Sequence, residues 1–336
     1  MKVAIVGSNN RDSMEFHFAD AFTHHGDSVQ IYDIYGSFPY TVTRMKPYFV
    51  ALDKVRSTYS DNYDAKRFRK LSKRVNEFEP DLVVCFYREI HPTFVDSIKK
   101  NGRKVIHVNP DQMTTLGYQQ VFASDYDAWF VKDRYMLDFM RNKMNVKALI
   151  YNEAFNHRFN PRPAMDKVLA EEKVGIDVMT YGTLYPYRTR MLKNLIDAGI
   201  DIRLFGTIPH RFFDTTVNRH CTGKYIVGEE KAMALYGSKI VFNNFHYGEV
   251  ESVNCRFFEA NGCGAFQLCD YKPLLKELLP VDPELVSYKT ISEGIDKVRY
   301  YLSHPQERID IASKIYEHFI SHYTYDHLIE YILKNI

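Results

Sequence analysis

Short apolar runs alternate with amphipathic stretches from the first residue of this chain, and the pattern starts afresh halfway along. That rhythm admits few folds, because a four- or five-residue apolar run followed by a helical period is the mark of βα units laid into a parallel sheet. Val3-Ala4-Ile5-Val6 reads as a buried strand that ends at Gly7-Ser8-Asn9-Asn10. Residues 12–25 then carry Met14, Phe18, Ala21 and Phe22 at helical spacing until Gly26 stops them. Val29-Gln30-Ile31-Tyr32 follows as a second strand, and further strands are expected at 82–86, 105–108, 128–131 and 148–151. The polar stretch Asn156-His157-Arg158-Phe159-Asn160-Pro161-Arg162-Pro163 breaks the rhythm and is expected to be the interdomain linker. Beyond it strands are expected at 176–180, 202–205, 240–243 and 265–268, with helices near 188–198, 229–236 and 253–262. From Ser292 the chain reads as helical to its end.

At 336 residues the chain exceeds what a single core usually supports, which agrees with two domains. The expected fold is α/β, with two Rossmann-like, doubly wound parallel-sheet domains facing a central cleft. Residues 1–155 form the first, 164–320 the second, and 321–336 a helix returning to the first. A formal charge of +2 is too mild to mark a polyanion-binding protein. Five cysteines, an odd number without CxxC spacing, read as reduced thiols and not as a disulfide framework or zinc knuckle. The first apolar run is too short for a signal-peptide core, and no later run reaches the length of a membrane span. A cytoplasmic protein, at most peripheral to a membrane, is expected.

In open parallel sheets ligands bind outside the carboxyl ends of the strands, where helix N-termini present N–H groups to phosphate. The segment from Gly248 to Ala265 lies at such a junction and carries Glu251 and Glu259 with seven residues between them. Glu251 falls in the loop before the helix and Glu259 about two turns along it, so both can face one elongated polar ligand at different depths. A nucleotide sugar meets that demand: carboxylates accept paired hydroxyl hydrogen bonds, and the helix N-terminus with Arg256 or Arg188 can take the diphosphate. Taken alone, two acids at this spacing are more often solvated surface charges.

The run Asn254-x-Arg256-x-Phe258-Glu259-Ala260-x-x-Cys263-Gly264-Ala265-Phe266-Gln267-Leu268 resembles the core motif of the CgeB-like GT-B glycosyltransferases. The resemblance extends to Tyr181-Gly182-Thr183-Leu184-Tyr185-Pro186-Tyr187-Arg188, to Leu204-Phe205-Gly206 and to His322-Tyr323-Thr324-Tyr325, so it covers most of residues 175–330. The wider retaining GT-B enzymes carry a similar E-x7-E motif. The resemblance implies sugar transfer from a nucleotide-diphosphate sugar to a hydroxyl acceptor, retaining, with no metal and no cofactor. It implies that Glu259 binds the donor ribose, that Glu251 binds the donor sugar near the reacting carbon, and that Arg188 and Arg256 neutralise the leaving diphosphate. Asn254, Ser252, Val253, Gly182, Tyr185 and Gly206 are placed at the donor on the same ground. Ser252-Val253 depart from the pattern, since many relatives carry Phe-Gly or a similar small pair there.

In the first half, His107-Val108-Asn109-Pro110-Asp111-Gln112 follows a strand. Asp111 or His107 could orient or deprotonate an acceptor hydroxyl, although Asn-Pro-Asp is equally a turn former. Gly7-Ser8-Asn9 could approach the diphosphate or the acceptor, against a plain tight turn. Asp125-Tyr126-Asp127 imitates a metal-binding D-x-D but precedes a strand; His24-His25 suit a helix end; and Gly223-Lys224 lacks the rest of a P-loop. The basic run Lys66 to Arg74 reads as a solvated helix face, or as contact with an anionic acceptor or membrane surface. Two other functions share the features so far: a nucleotide-sugar epimerase of the same fold, and a non-catalytic nucleotide- or glycan-binding protein. The donor's base and sugar are not encoded legibly, and the acceptor could be a glycan, protein, metabolite or modified nucleic acid.

Overall fold

The computed structural model describes residues 1–34, 45–111, 120–207 and 214–336. The chain divides into two compact units, Met1–Asn152 with Leu328–Ile336, and Glu153–His327. The first unit contains the strands β1 (Lys2–Gly7), β2 (Ser28–Asp33), β3 (Leu82–Cys85), β4 (Lys104–Val108), β5 (Ala128–Val131) and β6 (Ala148–Ile150). They pair in the order β2-β1-β3-β4-β5-β6, all parallel. The second contains β7 (Ile176–Tyr181), β8 (Ile202–Phe205), β9 (Ser238–Asn243), β10 (Gln267–Asp270) and β11 (Ser287–Tyr288), parallel in the order β11-β10-β9-β7-β8. Ten of these strands fall where the apolar runs place them. The two-residue β11 is too short to leave a periodic signal.

Apolar runs buried on both faces explain the sheets. Val3, Ala4, Ile5 and Val6 are fully buried, and the first core gathers Phe68, Leu71, Val95, Trp129 and Met140 around Ala4 and Val6 on one face. The second sheet has a core on each side: Leu192, Ile202, Phe258, Leu268 and Phe319 on one, Met179, Leu235, Val241 and Ala260 on the other. Asp166 caps the helix Lys167–Val174 and Gly175 ends it with φ +64°, while Ser13 caps the helix Met14–His24.

The division falls at Asn152 and Glu153, ahead of the stretch 156–163 expected as the linker. That stretch is structural. Asn156 and Asn160 are buried, and the Asn156 Oδ1 accepts the N–H groups of Arg158 and Phe159, each at 3.0 Å. A polar, proline-bearing sequence is what a chain needs to turn sharply with its backbone satisfied by side chains, so the composition alone misleads. Phe155 lies against Gly262, where a Cβ would come within 2.2 Å of its ring. Its backbone is bonded to Tyr323 and Tyr325 at 3.0 and 3.2 Å. The C-terminal stretch after Ser292 is helical, as Ile291–Ser303, Pro305–His322 and Tyr325–Asn335. Its last residues cluster with the first unit, Tyr331 donating to the Ile150 carbonyl at 2.8 Å.

The basic run lies on the helix Asp61–Glu77, with Ala65, Phe68, Leu71 and Val75 inward and Lys66, Arg69, Lys70, Lys73 and Arg74 exposed. Arg67 is the exception, buried against Asp64 at 2.9 Å and donating to the Ile34 carbonyl. No helix among the described residues is long and apolar enough to cross a membrane.

His107 on β4 is fully buried among Tyr126 and Trp129, and neither ring nitrogen has a hydrogen-bond partner. Burial holds its pKa down to about 3. A group whose pKa falls on folding contributes stability above its unfolded pKa of about 6.5, and that contribution drains away as pH falls towards the folded value. The loss amounts to roughly 3 kcal/mol by about pH 4.5, at 1.36 kcal/mol per pH unit. His107→Phe is therefore expected to flatten the acid side of the stability curve between pH 6.5 and 4.5, measured by chemical denaturation at each pH. An unchanged acid slope would contradict the assignment.

Candidate functional site

The strand order of the second sheet reverses direction between β7 and β9, and the carboxyl ends of these two strands mark the position at which parallel sheets commonly bind ligands. After β7 the chain turns at Gly182 (φ +94°) into the helix Pro186–Asp197. After β9 it passes Asn243 and Asn244 into an irregular segment that ends at the helix Cys255–Gly262.

Arg188 lies in the first turns of the helix after β7 and is fully buried. Its Nη1 donates to the Thr183 carbonyl at 3.1 Å, its Nη2 to the Thr180 hydroxyl, and its Nε has no partner. Arg256 donates from Nε to Asn243 Oδ1 at 3.1 Å and from Nη2 to the Asn244 carbonyl at 2.9 Å. Both guanidiniums reach the same glycine: a Cβ on Gly182 would stand 2.9 Å from Arg256 Nη1 and 3.7 Å from Arg188 Nη1. Among the described residues neither makes an ion pair with a carboxylate. Burial, and next the charge of Arg256, disfavour the charged form of Arg188. A guanidinium nevertheless stays protonated in a protein, so the site holds uncompensated positive charge.

A network of amides holds this pair in place. Asn254 caps the helix Cys255–Gly262, its Oδ1 accepting the Phe257 N–H at 3.1 Å, while its Nδ2 donates to Asn243 Oδ1 at 3.1 Å and to the Asn244 carbonyl at 3.2 Å. Asn243 donates in turn to Gln267 Oε1 at 2.8 Å on the neighbouring strand. Asn254 thus fastens the helix start to the end of β9 and presents the acceptor that Arg256 uses. Asp270, partly buried at the end of β10, takes the Phe245 N–H at 2.5 Å, and desolvation raises its carboxyl to about 6.

Glu259, one turn along the helix from Arg256, is held by two groups. Its Oε1 meets Lys231 Nζ at 3.0 Å and its Oε2 accepts the Tyr181 hydroxyl at 3.0 Å. Tyr181 Oη also lies 3.2 Å from the Arg256 carbonyl. Glu251 is exposed on the irregular segment, with the buried Glu249 near it accepting the His246 N–H at 3.0 Å. Ser252 and Val253 are buried, Val253 in the core, so this pair supplies packing and no surface. Gly206, at φ +130°, backs onto Gly182: a Cβ there would stand 2.4 Å from the Gly182 carbonyl oxygen. Tyr185 is half exposed at the mouth of the same turn.

Arg188, Arg256, Glu259, Asn254, Gly182 and Gly206 are accordingly brought together in one unit, with Tyr185 beside them on the turn after β7, while Glu251 is exposed on the segment ahead of the helix. Lys231, Asn243 and Asp270 belong to the same constellation and carry no local signal, since each arrives from a different stretch of chain. Tyr181 is the one residue a reader of the sequence could have added, standing at the strand end before Gly182.

The first unit offers a different arrangement. Its strand order reverses between β1 and β3, and Gly7 and Ser8 lie at that point. The Ser8 N–H is taken by Glu15 Oε1 at 2.6 Å, and a Cβ on Gly7 would fall 2.2 Å from the same oxygen. The place where a phosphate would sit already holds a buried carboxylate, so the reading of Gly7 and Ser8 as a diphosphate loop is corrected. Asn9 beside them is exposed. His107, sealed in the core, presents no atom to a ligand, which removes it as a base. Asp111 is exposed, its Oδ2 4.0 Å from Arg88 Nη2. Gln112 lies outside the described residues. The D-x-D imitation is structural: Asp125 and Asp127 pair with Lys99 at 3.1 and 3.2 Å, and Asp127 accepts the Val105 N–H.

Comparison with known proteins finds similarity over the same part of the chain. Residues 188–334 match the family described as glycosyl transferase-like. The spore protein CgeB of Bacillus subtilis is 23% identical over 188 residues, 52% of this chain and 56% of that one, so the match spans little more than half of the curated relative. HepE of Anabaena, solved with UDP and glucose, covers the whole of both chains at 10% identity with a TM-score of 0.68. Sucrose-phosphate synthase from Thermosynechococcus elongatus covers 99% of this chain and 97% of its own at 11% identity, with a TM-score of 0.67. The chain has the GT-B fold, and its residues 188–334 are similar to the glycosyl transferase-like family. The match begins at Arg188 and includes the whole segment from Glu249 to Gly264, so Arg188, Arg256 and Glu259 lie within it and Gly182 just ahead of it.

Glycine is required at 206 for a stated reason, and this is testable. Gly206→Ala must adopt a conformation that L residues rarely take and must also displace the Gly182 carbonyl, at a cost of about 2–4 kcal/mol. Gly199 also has positive φ (+81°) but nothing within 4 Å of its added Cβ, so Gly199→Ala is expected to cost only about 1 kcal/mol. Urea denaturation of both variants checks the difference; equal losses would refute the close-approach argument.

Proposed function

We propose that this protein transfers a sugar from a nucleoside-diphosphate sugar to a hydroxyl acceptor, with retention and without a metal ion. The observation that carries the reading is the pair of guanidiniums meeting at Gly182 without a carboxylate partner among the described residues. Breaking a glycosidic bond to a diphosphate leaves negative charge on the departing oxygen, and fixed cations at that point stabilise it without rearrangement. Arg188 and Arg256 supply the charge that a divalent ion would otherwise provide. Glu259, steadied by Lys231 and Tyr181, is suited to accept hydrogen bonds from two ribose hydroxyls. Glu251, one loop away, would engage the hydroxyls of the transferred sugar. On the acceptor side Asp111, exposed beside Arg88, remains the candidate to orient the hydroxyl. Because HepE was solved with UDP and glucose, UDP-sugars are the first donors to try. The acceptor is a hydroxyl compound from among glycans, proteins, metabolites or modified nucleic acid, and the exposed cations of Asp61–Glu77 favour an anionic one. The cytoplasm is the proposed location, in keeping with cysteines that are all unpaired among the described residues.

Thermal-shift screening of nucleoside diphosphates and their sugars tests the binding step, since a ligand at 100 times its Kd adds about 2.7 kcal/mol to apparent stability. Arg256→Ala is expected to weaken the binding diphosphate at least tenfold, by loss of a charge-assisted contact. Glu251→Ala is expected to abolish slow donor hydrolysis while diphosphate binding persists, and chelator should leave turnover intact. Donor isomerisation without transfer to any added acceptor would point to an epimerase instead, and a bound donor that is never consumed would point to a binding protein.

A further inference from the structure

Beside the arginine pair stands a group of rings that the contacts above leave without a task. Tyr185 stacks on Tyr187 at 6.1 Å and 13° between planes, and His246 from the segment after β9 meets both rings edge-on at 5.7 and 5.5 Å. Tyr247 completes the corner, 4.2 Å from His246 and 5.3 Å from Tyr187. Two of the four are open to solvent, Tyr185 by 46% and Tyr247 by 72%, although rings of this size ordinarily gain by covering their faces. His246 Nδ1 accepts the Gly248 N–H at 3.0 Å, which leaves the ring proton on Nε2 as a donor. Tyr187 directly precedes Arg188 on the helix Pro186–Asp197, so the corner adjoins the arginine pair.

These neighbours impose an order on any donor. Glu259 with Lys231 and Tyr181 lies on one side of Arg256, joined to it through Tyr181 Oη and the Arg256 carbonyl. The guanidiniums at Gly182 come next, and the rings follow. A diphosphate on the arginines carries two substituents; with its ribose at Glu259, the other substituent is directed to the rings. The geometry points to the Tyr185–Tyr187–His246–Tyr247 corner as the platform for the transferred sugar, a neutral pyranose whose C–H face lies on an exposed ring while its hydroxyl edge meets His246 Nε2–H. A pyranose has one apolar and one hydroxylated aspect, and a ring wall with a single N–H donor matches both. This inference rests on the donor reading proposed above and goes beyond it by assigning the sugar's own contacts.

Isothermal titration of UDP and UDP-glucose, and of GDP and GDP-mannose, against wild type, Tyr247→Ala, Tyr247→Phe and Tyr187→Leu separates the possibilities. Tyr247→Ala is expected to bind the diphosphate as wild type does but the sugar nucleotide about fivefold more weakly, the size of an aromatic face contact. Tyr247→Phe should keep both affinities, and Tyr187→Leu should repeat the selective loss. Equal losses for diphosphate and sugar nucleotide would overturn the proposal by placing the nucleobase on the rings, and unchanged affinities would overturn it outright. Should wild type bind none of the four probes, the donor reading itself fails and takes this inference with it.

Discussion

A buried guanidinium with no ion-paired acid among the described residues is the constraint around which the second unit is arranged. Taking a charge out of water without a partner is among the costliest things a fold can do, and Arg188 is entirely buried with one nitrogen unsatisfied. The surroundings accept this by offering neutral oxygens from Thr180 and Thr183 in place of a carboxylate. A second cation, Arg256, is then brought to the same glycine. An arrangement that raises the energy of the empty site lowers the relative energy of an anion entering it. Stability is given up where binding is gained.

The rest of the unit serves to keep that arrangement rigid. Asn254, Asn243 and Gln267 tie the helix Cys255–Gly262 to two adjacent strand ends through side-chain amides, whose donors and acceptors match one another without charge. A carboxylate in the position of Asn243 would neutralise Arg256 and remove its use. Asp270, partly buried at the end of the neighbouring strand, has its carboxyl raised to about 6 by desolvation. Gly206 and Gly182, in backbone contact, permit the turn after β7 to lie close enough for both arginines to reach it.

The two units repeat one topology and use it for opposite ends. At the reversal of strand order in the first, Glu15 fills the space above Gly7 and satisfies the Ser8 N–H from within the protein. At the reversal in the second, no carboxylate among the described residues is paired with the arginines, and two cations meet at Gly182. The phosphate-binding tendency of a strand end followed by a helix is therefore cancelled in one unit and reinforced in the other by single side chains.

Much of this was readable along the chain. Apolar runs specify strands because both faces of a parallel sheet are covered, and that period survives in the residues themselves: ten of eleven strands lie where it puts them. The motif from Asn254 to Leu268 also announced itself, because a cap, a cation, an acid and small residues must stand at fixed spacing to serve one helix start. Other features had no such local record. The polar stretch 156–163 reads as a linker until its buried asparagines are seen to satisfy turns inside the second unit, and His107 reads as a base until β4 carries it into a core of rings. Lys231 reaches Glu259 across 28 positions and Asn243 reaches Arg256 across 13. The sequence by itself determined the alternation, the strand and helix order and the chemical character of one segment, because these depend on neighbours in the chain. Which charges meet, which are silenced and which stay unanswered was decided by tertiary packing alone, because electrostatic energy depends on distance and burial in space and not on separation along the backbone.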